Sequence, residues 1–488
     1  MNDWISCSFL STAPRSIRNL GSIPTRLPFQ VSVGSLSPAL NVPAFMVRIP
    51  KKGAYQLSAN TNVAARDTPS GNLQSVYVTL FVNQTPVLKS AQFAAGATGS
   101  AASSSGTTQI LELEEEDLVY AYAELPNDPV TTEGFLNNWL APLPQTIAGG
   151  GAIPPELLGS GGPTTVISGS FFELLRLEEG QSWMQTQAAE PQSQLSQVPR
   201  RIPFSNSQGP LSSCLTNQSL FVAPSSGVYQ FDSNVTIFSN WTTEVNAYVF
   251  LMLNGLPAWM LSQMSAGPGG SFLSGAQLSQ TMHLEEGDCV SLEAASPSGV
   301  AMFVIALLPS PAIPEKSFYQ PCATWWAAKF LGGSSGASPM QWLRLTLGGA
   351  QSLASGQRRR VAFAYAEGPS ASSFIPQTSS FLAPSSGLYE FKACLTLFAT
   401  STSAQSVQLI LWVNDEEIIT QSQLVGKTPS GTAASVSLTK LLSVNAGDQV
   451  YFTLSSGSAG SLTILPTITL APGSPPVPSS WWTCRFLQ

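Results

Sequence analysis

The sequence has a single histidine, His283, and only 10% of its residues are charged. A Ser-His-Asp or Cys-His arrangement would have to use that residue, yet it sits in a strand-like run, Thr281-Met282-His283-Leu284, with no nucleophile motif beside it. The chain also lacks a Cys/His cluster with zinc spacing, a glycine-rich phosphate loop after a strand, and any alternation of strand and helix patterns. Neither an enzyme nor a bound cofactor is expected. Lysine and arginine number 21 against 28 acidic residues, a net charge of −7. That balance is unsuited to nucleic acid, where affinity comes mainly from neutralised phosphates.

Long hydrophobic runs are missing too. The longest, Val300 to Leu308, is far too short to span a bilayer, and Met1-Asn2-Asp3-Trp4 lacks the basic start and apolar core of an export signal, so neither a membrane span nor secretion is expected. Cys7, Cys214, Cys289, Cys322, Cys394 and Cys484 lie at unrelated spacings, which excludes a repeated disulfide framework and leaves free or buried thiols. Sequons at Asn83, Asn217, Asn234 and Asn240 read as chance matches in a Ser/Thr-rich chain.

What the chain does have is repetition. Val47-Arg48-Ile49-Pro50-Lys51-Lys52-Gly53-Ala54-Tyr55-Gln56-Leu57 recurs as Phe221-Val222-Ala223-Pro224-Ser225-Ser226-Gly227-Val228-Tyr229-Gln230-Phe231 and as Phe381-Leu382-Ala383-Pro384-Ser385-Ser386-Gly387-Leu388-Tyr389-Glu390-Phe391. The pattern predicts a turn feeding a strand. Proline stops the preceding strand, Gly53, Gly227 and Gly387 are expected to take a backbone angle other residues avoid, and Tyr55, Tyr229 and Tyr389 share an inward face with the residue two positions on. The register persists beyond the motif. Asn83 follows Gly53 by 30 residues, and Asn254 and Asn414 follow their glycines by 27; Asp117 follows by 64, and Asp288 and Asp448 by 61. One three-residue insertion in the first copy explains both offsets.

These landmarks resemble the jelly-roll superfamily shared by tumour necrosis factor and the globular head of complement subcomponent one-q. That pattern runs as an aromatic, Ala-Pro, a Gly-x-Tyr-x-Phe strand, an Asn hairpin and a Leu-x-x-Gly-Asp-x-Val hairpin. Copies two and three carry nearly all of it. Copy one departs with Ile49-Pro50, Leu57 and Glu116-Asp117, so its membership rests on register. The resemblance covers about Arg26 to Pro472 and implies an all-β chain of three tandem jelly-roll β-sandwich domains. Members usually associate as trimers, which three copies can satisfy within one chain as a pseudo-trimer; the runner-up is a homotrimer of three stacked layers.

The expected divisions are an N-terminal docking segment at 1–25, a first jelly roll at 26–178 with an insertion at 126–162, a linker at 179–198, and a second jelly roll at 199–311. A linker at 312–356, a third jelly roll at 357–472 and a C-terminal docking tail at 473–488 complete the chain. Trp4 to Phe9-Leu10, Trp325-Trp326 to Phe330-Leu331 and Trp481-Trp482 to Phe486-Leu487 form a second, shorter repeat outside these jelly rolls. Such aromatic segments either cover their own sandwiches or dock on another chain, and Trp139 in the insertion favours wrapping a neighbour. Docking makes Trp4, Phe9, Leu10, Trp139, Trp325, Trp326, Trp481, Trp482, Phe486 and Leu487 candidate assembly residues. The acidic hairpin Glu112 to Asp117 reads as a solvated tip, since consecutive strand residues diverge and cannot converge on calcium. Arg26, Arg200-Arg201 and Arg358-Arg359-Arg360 read as polar rims where first strands begin.

The functional expectation is a structural subunit of a large assembly, most simply a virion component (capsid, cement or surface protrusion) partnered by capsid proteins. The alternative is an extracellular recognition protein, similar to the complement heads, that binds carbohydrate or protein ligands; glycans at Asn234 and Asn240 would support it.

Overall fold

Each repeated turn feeds a 13-residue strand: Gly53–Ala65, Gly227–Ser239 and Gly387–Ala399. Alternation explains their place, because Tyr55, Leu57, Tyr229, Phe231, Tyr389 and Phe391 all point into sandwich cores and are buried. The computed structural model describes residues 3–8, 25–26, 31–41, 45–65, 73–95, 101–124, 171–188, 195, 198–217, 219–239, 245–265, 272–296, 302–305, 323–332, 341–399, 405–425, 432–456, 462–469 and 475–487. The described residues are nearly all strand, with three short 3-10 turns and no α-helix.

Each central strand is flanked on both sides in its sheet, and in sandwiches two and three its far end also pairs with a short strand, Met302–Ile305 or Leu462–Leu465. On one side runs a rim strand (Ala101–Leu113, Phe272–Leu284, Thr432–Val444), on the other a closing strand (Phe171–Arg176, Trp325–Gly332, Trp481–Phe486). Beyond the closing strand lies an opening strand (Trp4–Ser8, Trp183–Gln187, Trp342–Leu347). The facing sheet is built on a long hairpin, such as Val245–Leu253 with Leu256–Ser265, flanked by a strand such as Cys289–Ala295. All pairing is antiparallel and, apart from the hairpins, sheet neighbours are remote in sequence, the connectivity of a jelly roll. Gly53 pairs with Leu113, Gly227 with Leu284 and Gly387 with Val444, so the copies agree in ladder register as well as in spacing.

The repeated polar landmarks clamp two hairpins together. Asn254 donates from Nδ2 to Asp288 Oδ1 (2.8 Å) and accepts from the Cys289 amide, while Asp288 Oδ2 accepts from the Glu285 amide. Asn83 with Asp117, and Asn414 with Asp448, repeat the arrangement. The asparagines also begin the hairpin turns with positive φ, followed by Gln84, Gly255 or Asp415, as a two-residue type I′ turn requires. Each repeated tyrosine donates from its hydroxyl to the carbonyl four residues back, at Lys51, Ser225 or Ser385.

Two expectations need correction. Gly53 is outside the positive-φ region, and Gly227 and Gly387 lie near its extended limit at 158° and 156°. In copy one the glycine instead admits a close neighbour, since a Cβ at Gly53 would lie 2.9 Å from Arg176 Nε. The expected divisions also cut off strands. The segment at 1–25 carries the first opening strand, the linkers at 179–198 and 312–356 carry the second opening strand, the second closing strand and the third opening strand, and the tail at 473–488 carries the third closing strand. The sandwiches thus run from about Trp4 to Leu177, Trp183 to Gly332 and Trp342 to Leu487. The insertion at 126–162 lies outside the described residues.

The three sandwiches contact each other in a cycle. The opening and closing strands of sandwich two face the rim strand of sandwich one, where Gln185 Oε1 accepts from the Ile110 amide (2.7 Å). The same side of sandwich three faces the rim strand of sandwich two, where Arg344 donates to the Thr281 carbonyl (3.1 Å). The same side of sandwich one faces the rim strand of sandwich three, where Lys440 donates to Ser6 Oγ (2.6 Å). By pairing register, Ser6, Gln185 and Arg344 are equivalent positions, as are Ile110, Thr281 and Leu441. A head-to-tail contact repeated three times therefore closes on itself.

Candidate functional site

The centre of this cycle is charged. Position three after each repeated glycine is Gln56, Gln230 or Glu390, and position five is Ser58, Asp232 or Lys392; beside them on the closing strands stand Leu175, Lys329 and Arg485. These side chains alternate with the core-facing Tyr and Leu or Phe, so strand geometry turns them away from each core and toward the other sandwiches. Lys392 Nζ lies 2.6 Å from Asp232 Oδ1 and 3.3 Å from Glu390 Oε1. Arg485 Nη2 lies 3.1 Å from Glu390 Oε2, and Lys329 Nζ 3.8 Å from Asp232 Oδ2. Gln56 of sandwich one bridges the others, donating to Glu390 Oε1 (2.9 Å) and accepting from Lys329. All five charged residues are buried.

Burial raises the Asp232 and Glu390 pKa values, but attraction from Lys392, together with Lys329 and, for Glu390, Arg485, outweighs it and holds both below the usual carboxylate range. For Lys329 burial dominates, and the pKa is pushed down to about 7. At one end of the pseudo-threefold, a cavity of about 290 Å³ is lined by Arg176, Phe330 and Arg485, one from each sandwich. The arrangement joins three sandwiches, and these side chains face one another.

The candidate docking residues divide by strand parity. Trp326 and Trp482 fill their own cores, against Phe231 and against Phe363 and Phe452. Trp325 and Trp481 point the other way. Trp325 joins the core cluster of sandwich one; Trp481 enters that of sandwich two, edge-on to Trp259 at 5.4 Å, with its indole N–H donated to the Ser279 carbonyl. Phe486 packs on Tyr389, and Trp4 and Leu487 meet around Leu175, Leu388 and Leu441 where sandwiches one and three join. Among the described residues, the apolar surface of these side chains is packed largely within the chain, the alternative to docking on a separate subunit. Phe9, Leu10 and Trp139 lie outside the described residues.

Sequence reasoning grouped the tryptophans wrongly. Trp4 is equivalent to Trp183 and Trp342 on opening strands, whereas Trp325 and Trp481 correspond to Phe171 on closing strands. A second signal was present. Gly34, Gly209 and Gly368, with φ of 116°, 93° and 103°, each press against the backbone and indole of that opening-strand tryptophan. The amide two residues later, at Leu36, Leu211 or Ser370, bonds to the tryptophan carbonyl.

Other singled-out groups have local roles. His283 is on a rim strand, half-exposed, 3.6 Å from a Glu285 carboxylate oxygen. In the acidic hairpin, Glu116 pairs with Arg48 and Glu114 with Lys52 at the surface, while Asp117 is held by Asn83. Arg360 lies over the Tyr451 ring and Arg358 over Trp412. Asn234 is fully buried with its amide on the Ala323 carbonyl, which removes it as a glycan acceptor in the folded chain.

No protein-family model and no curated protein matches the sequence. Among solved structures, the chain is similar to Eiger TNF from S. frugiperda, at 10% identity and a TM-score of 0.24, over 32% of this chain and 97% of that one. Among the described residues no helix is long and apolar enough to cross a membrane.

Proposed function

We propose that the protein is a non-enzymatic structural subunit whose working unit is a single-chain pseudo-trimer, and that it serves as a virion component (capsid, cement or surface protrusion). The observation that carries the first part is the buried axial cluster. Asp232 and Lys329 of sandwich two and Glu390, Lys392 and Arg485 of sandwich three meet there around Gln56 of sandwich one, with Lys392–Asp232, Gln56–Glu390 and Lys329–Gln56 crossing between sandwiches. Separation would break the buried Lys392–Asp232 pair and both Gln56 contacts, while Lys329–Asp232 and the pairs of Glu390 with Lys392 and Arg485 lie within single sandwiches. A fixed three-lobed body of low charge suits a building block. The strand Trp481–Phe486 pairs within its own sandwich, so the virion role rests on composition and on the recurrence of jelly rolls in capsids. The extracellular alternative loses one of its expected glycan sites with the burial of Asn234.

Light scattering on the purified chain tests the first part, and density-gradient co-sedimentation with virus particles tests the second. A species of 51.5 kDa, the mass of one chain, is expected. A species of three times that mass would replace the pseudo-trimer with the homotrimer, and absence from every particle fraction would end the virion reading.

A further inference from the structure

The three interfaces are equivalent in backbone and different in chemistry. Closing and next opening strands are near in sequence at two of them: Arg176 precedes Trp183 and Gly332 precedes Trp342. Between sandwiches three and one there is no such connection, and Ser6 and Lys440 are 434 residues apart. Besides the axial Asp232–Lys392 pair, which joins sandwiches two and three, the untethered interface carries a buried ion pair of its own.

Glu173 of sandwich one is 1% exposed. Its Oε1 lies 2.8 Å from Lys440 Nζ of sandwich three and 2.9 Å from Ser6 Oγ, and both its oxygens lie 3.2 Å from the Leu441 amide. Every one of these neighbours donates, so the ionised carboxylate is the form they satisfy. Burial pushes its pKa up, opposed by Lys440 and by these hydrogen bonds. At the other two interfaces the positions equivalent to Glu173 are Ala327 and Thr483, and those equivalent to Lys440 are Gln109 and Gln280. The Gln109 and Gln280 side-chain amides make no hydrogen bond among the described residues.

We propose that Glu173 and Lys440 are the closure lock of the ring, selecting sandwich one as the partner of sandwich three and excluding the other pairings that the shared fold permits. The selection is by penalty as much as by attraction. In a trimer made of sandwich one alone, Glu173 would be buried against Gln109 with no cation; in a trimer of sandwich three alone, Lys440 would be buried against Thr483 with no anion. A homotrimer of stacked identical layers would meet both penalties, three times each. The proposal rests on the single-chain ring and stands whether or not the protein enters a virion.

Hydrogen exchange by mass spectrometry on the full chain tests it. Lys440→Met leaves Glu173 buried and unpaired, and exchange should accelerate by roughly a hundredfold to a few thousandfold in Trp4–Ser8 and Thr432–Val444, the size expected for breaking a buried pair from one side. Segments at the tethered interfaces, Ala101–Leu113 and Phe272–Leu284, should stay within about threefold of the parent. Adding Glu173→Gln should recover most of the loss by removing the stranded charge. Should Lys440→Met not fold, Glu173→Gln alone is expected to give roughly a tenfold acceleration confined to the same two strands. Acceleration shared equally by all three interfaces, no acceleration at any, or a double variant no better than the single would each overturn the lock.

Discussion

Gly209→Ala asks how much of each sandwich depends on a contact between a glycine and the opening strand. Gly209 has φ +93°, and an ideal Cβ there would lie 2.5 Å from the Trp183 carbonyl oxygen and 2.7 and 2.9 Å from its indole carbons. Gly287 has nearly the same φ, +88°, but no atom within 4 Å of its would-be Cβ. Both substitutions incur the left-handed penalty of about 1–2 kcal/mol, offset by about 0.4–1 kcal/mol from a less flexible unfolded chain. Only Gly209→Ala also forces the strand or the ring to move, an overpacking cost of about 1–3 kcal/mol. With about 2–4 °C per kcal/mol for a domain of this size, Gly209→Ala should melt roughly 2–12 °C below Gly287→Ala, measured side by side by tryptophan fluorescence. The comparison cancels the backbone contribution. Equal melting of the two would show that Trp183 yields freely and that the repeated glycine–tryptophan contact is incidental.

Glu116→Gly should stabilise sandwich one by about 1 kcal/mol, because Glu116 holds φ +74° where the other copies have Gly287 and Gly447; its exposed pair with Arg48 offsets little. A lowered melting temperature would count against the strain. Stability should also rise from pH 7 to 9: with Lys329 at about 7 in the folded chain and 10.5 ordinarily, the unfolded chain holds more protons across that window, and stability climbs as pH rises. Lys89, also pushed down to about 7 by burial, acts in the same direction. Above pH 9 the Cys7 thiol, raised by burial to about 12, opposes the trend, since there the unfolded chain loses a proton the folded one keeps. Lys329→Met should flatten the rise in melting temperature; an unaltered slope would mean the lysine keeps its proton when folded.

The parts of the fold legible in the sequence were those fixed by local rules. Alternation around Tyr229 and Phe231, the turn before Gly227 and the Asn254–Asp288 spacing recur because each solves a problem within one sandwich. The opening and closing strands were misread because their role is decided at long range. Trp326-Trp482 and Trp325-Trp481 look alike in sequence, and only pairing with the central strand shows which of each doublet faces its own core and which faces the next sandwich. The axial charges were illegible for a related reason. Ser58, Asp232 and Lys392 are equivalent yet chemically unlike, and a search for repeated chemistry passes over positions where the copies complement each other. Lys392 belongs with Asp232, 160 residues earlier, and nothing in the intervening sequence announces it.

The difference among equivalent positions also sets how many partners such a body can hold. Three identical chains around a threefold axis display every surface patch three times, and whatever binds one patch can bind three. Here the outer sheet of sandwich two is covered by Ile468 and Val477, which pack on Phe250 and Met260, whereas the outer sheet of sandwich three carries Arg358, Trp412, Tyr451 and Arg360. Each patch exists once per molecule. A ligand reading any of them would bind with one-to-one stoichiometry and fix the rotational setting of the body about its own axis, which a homotrimer cannot do.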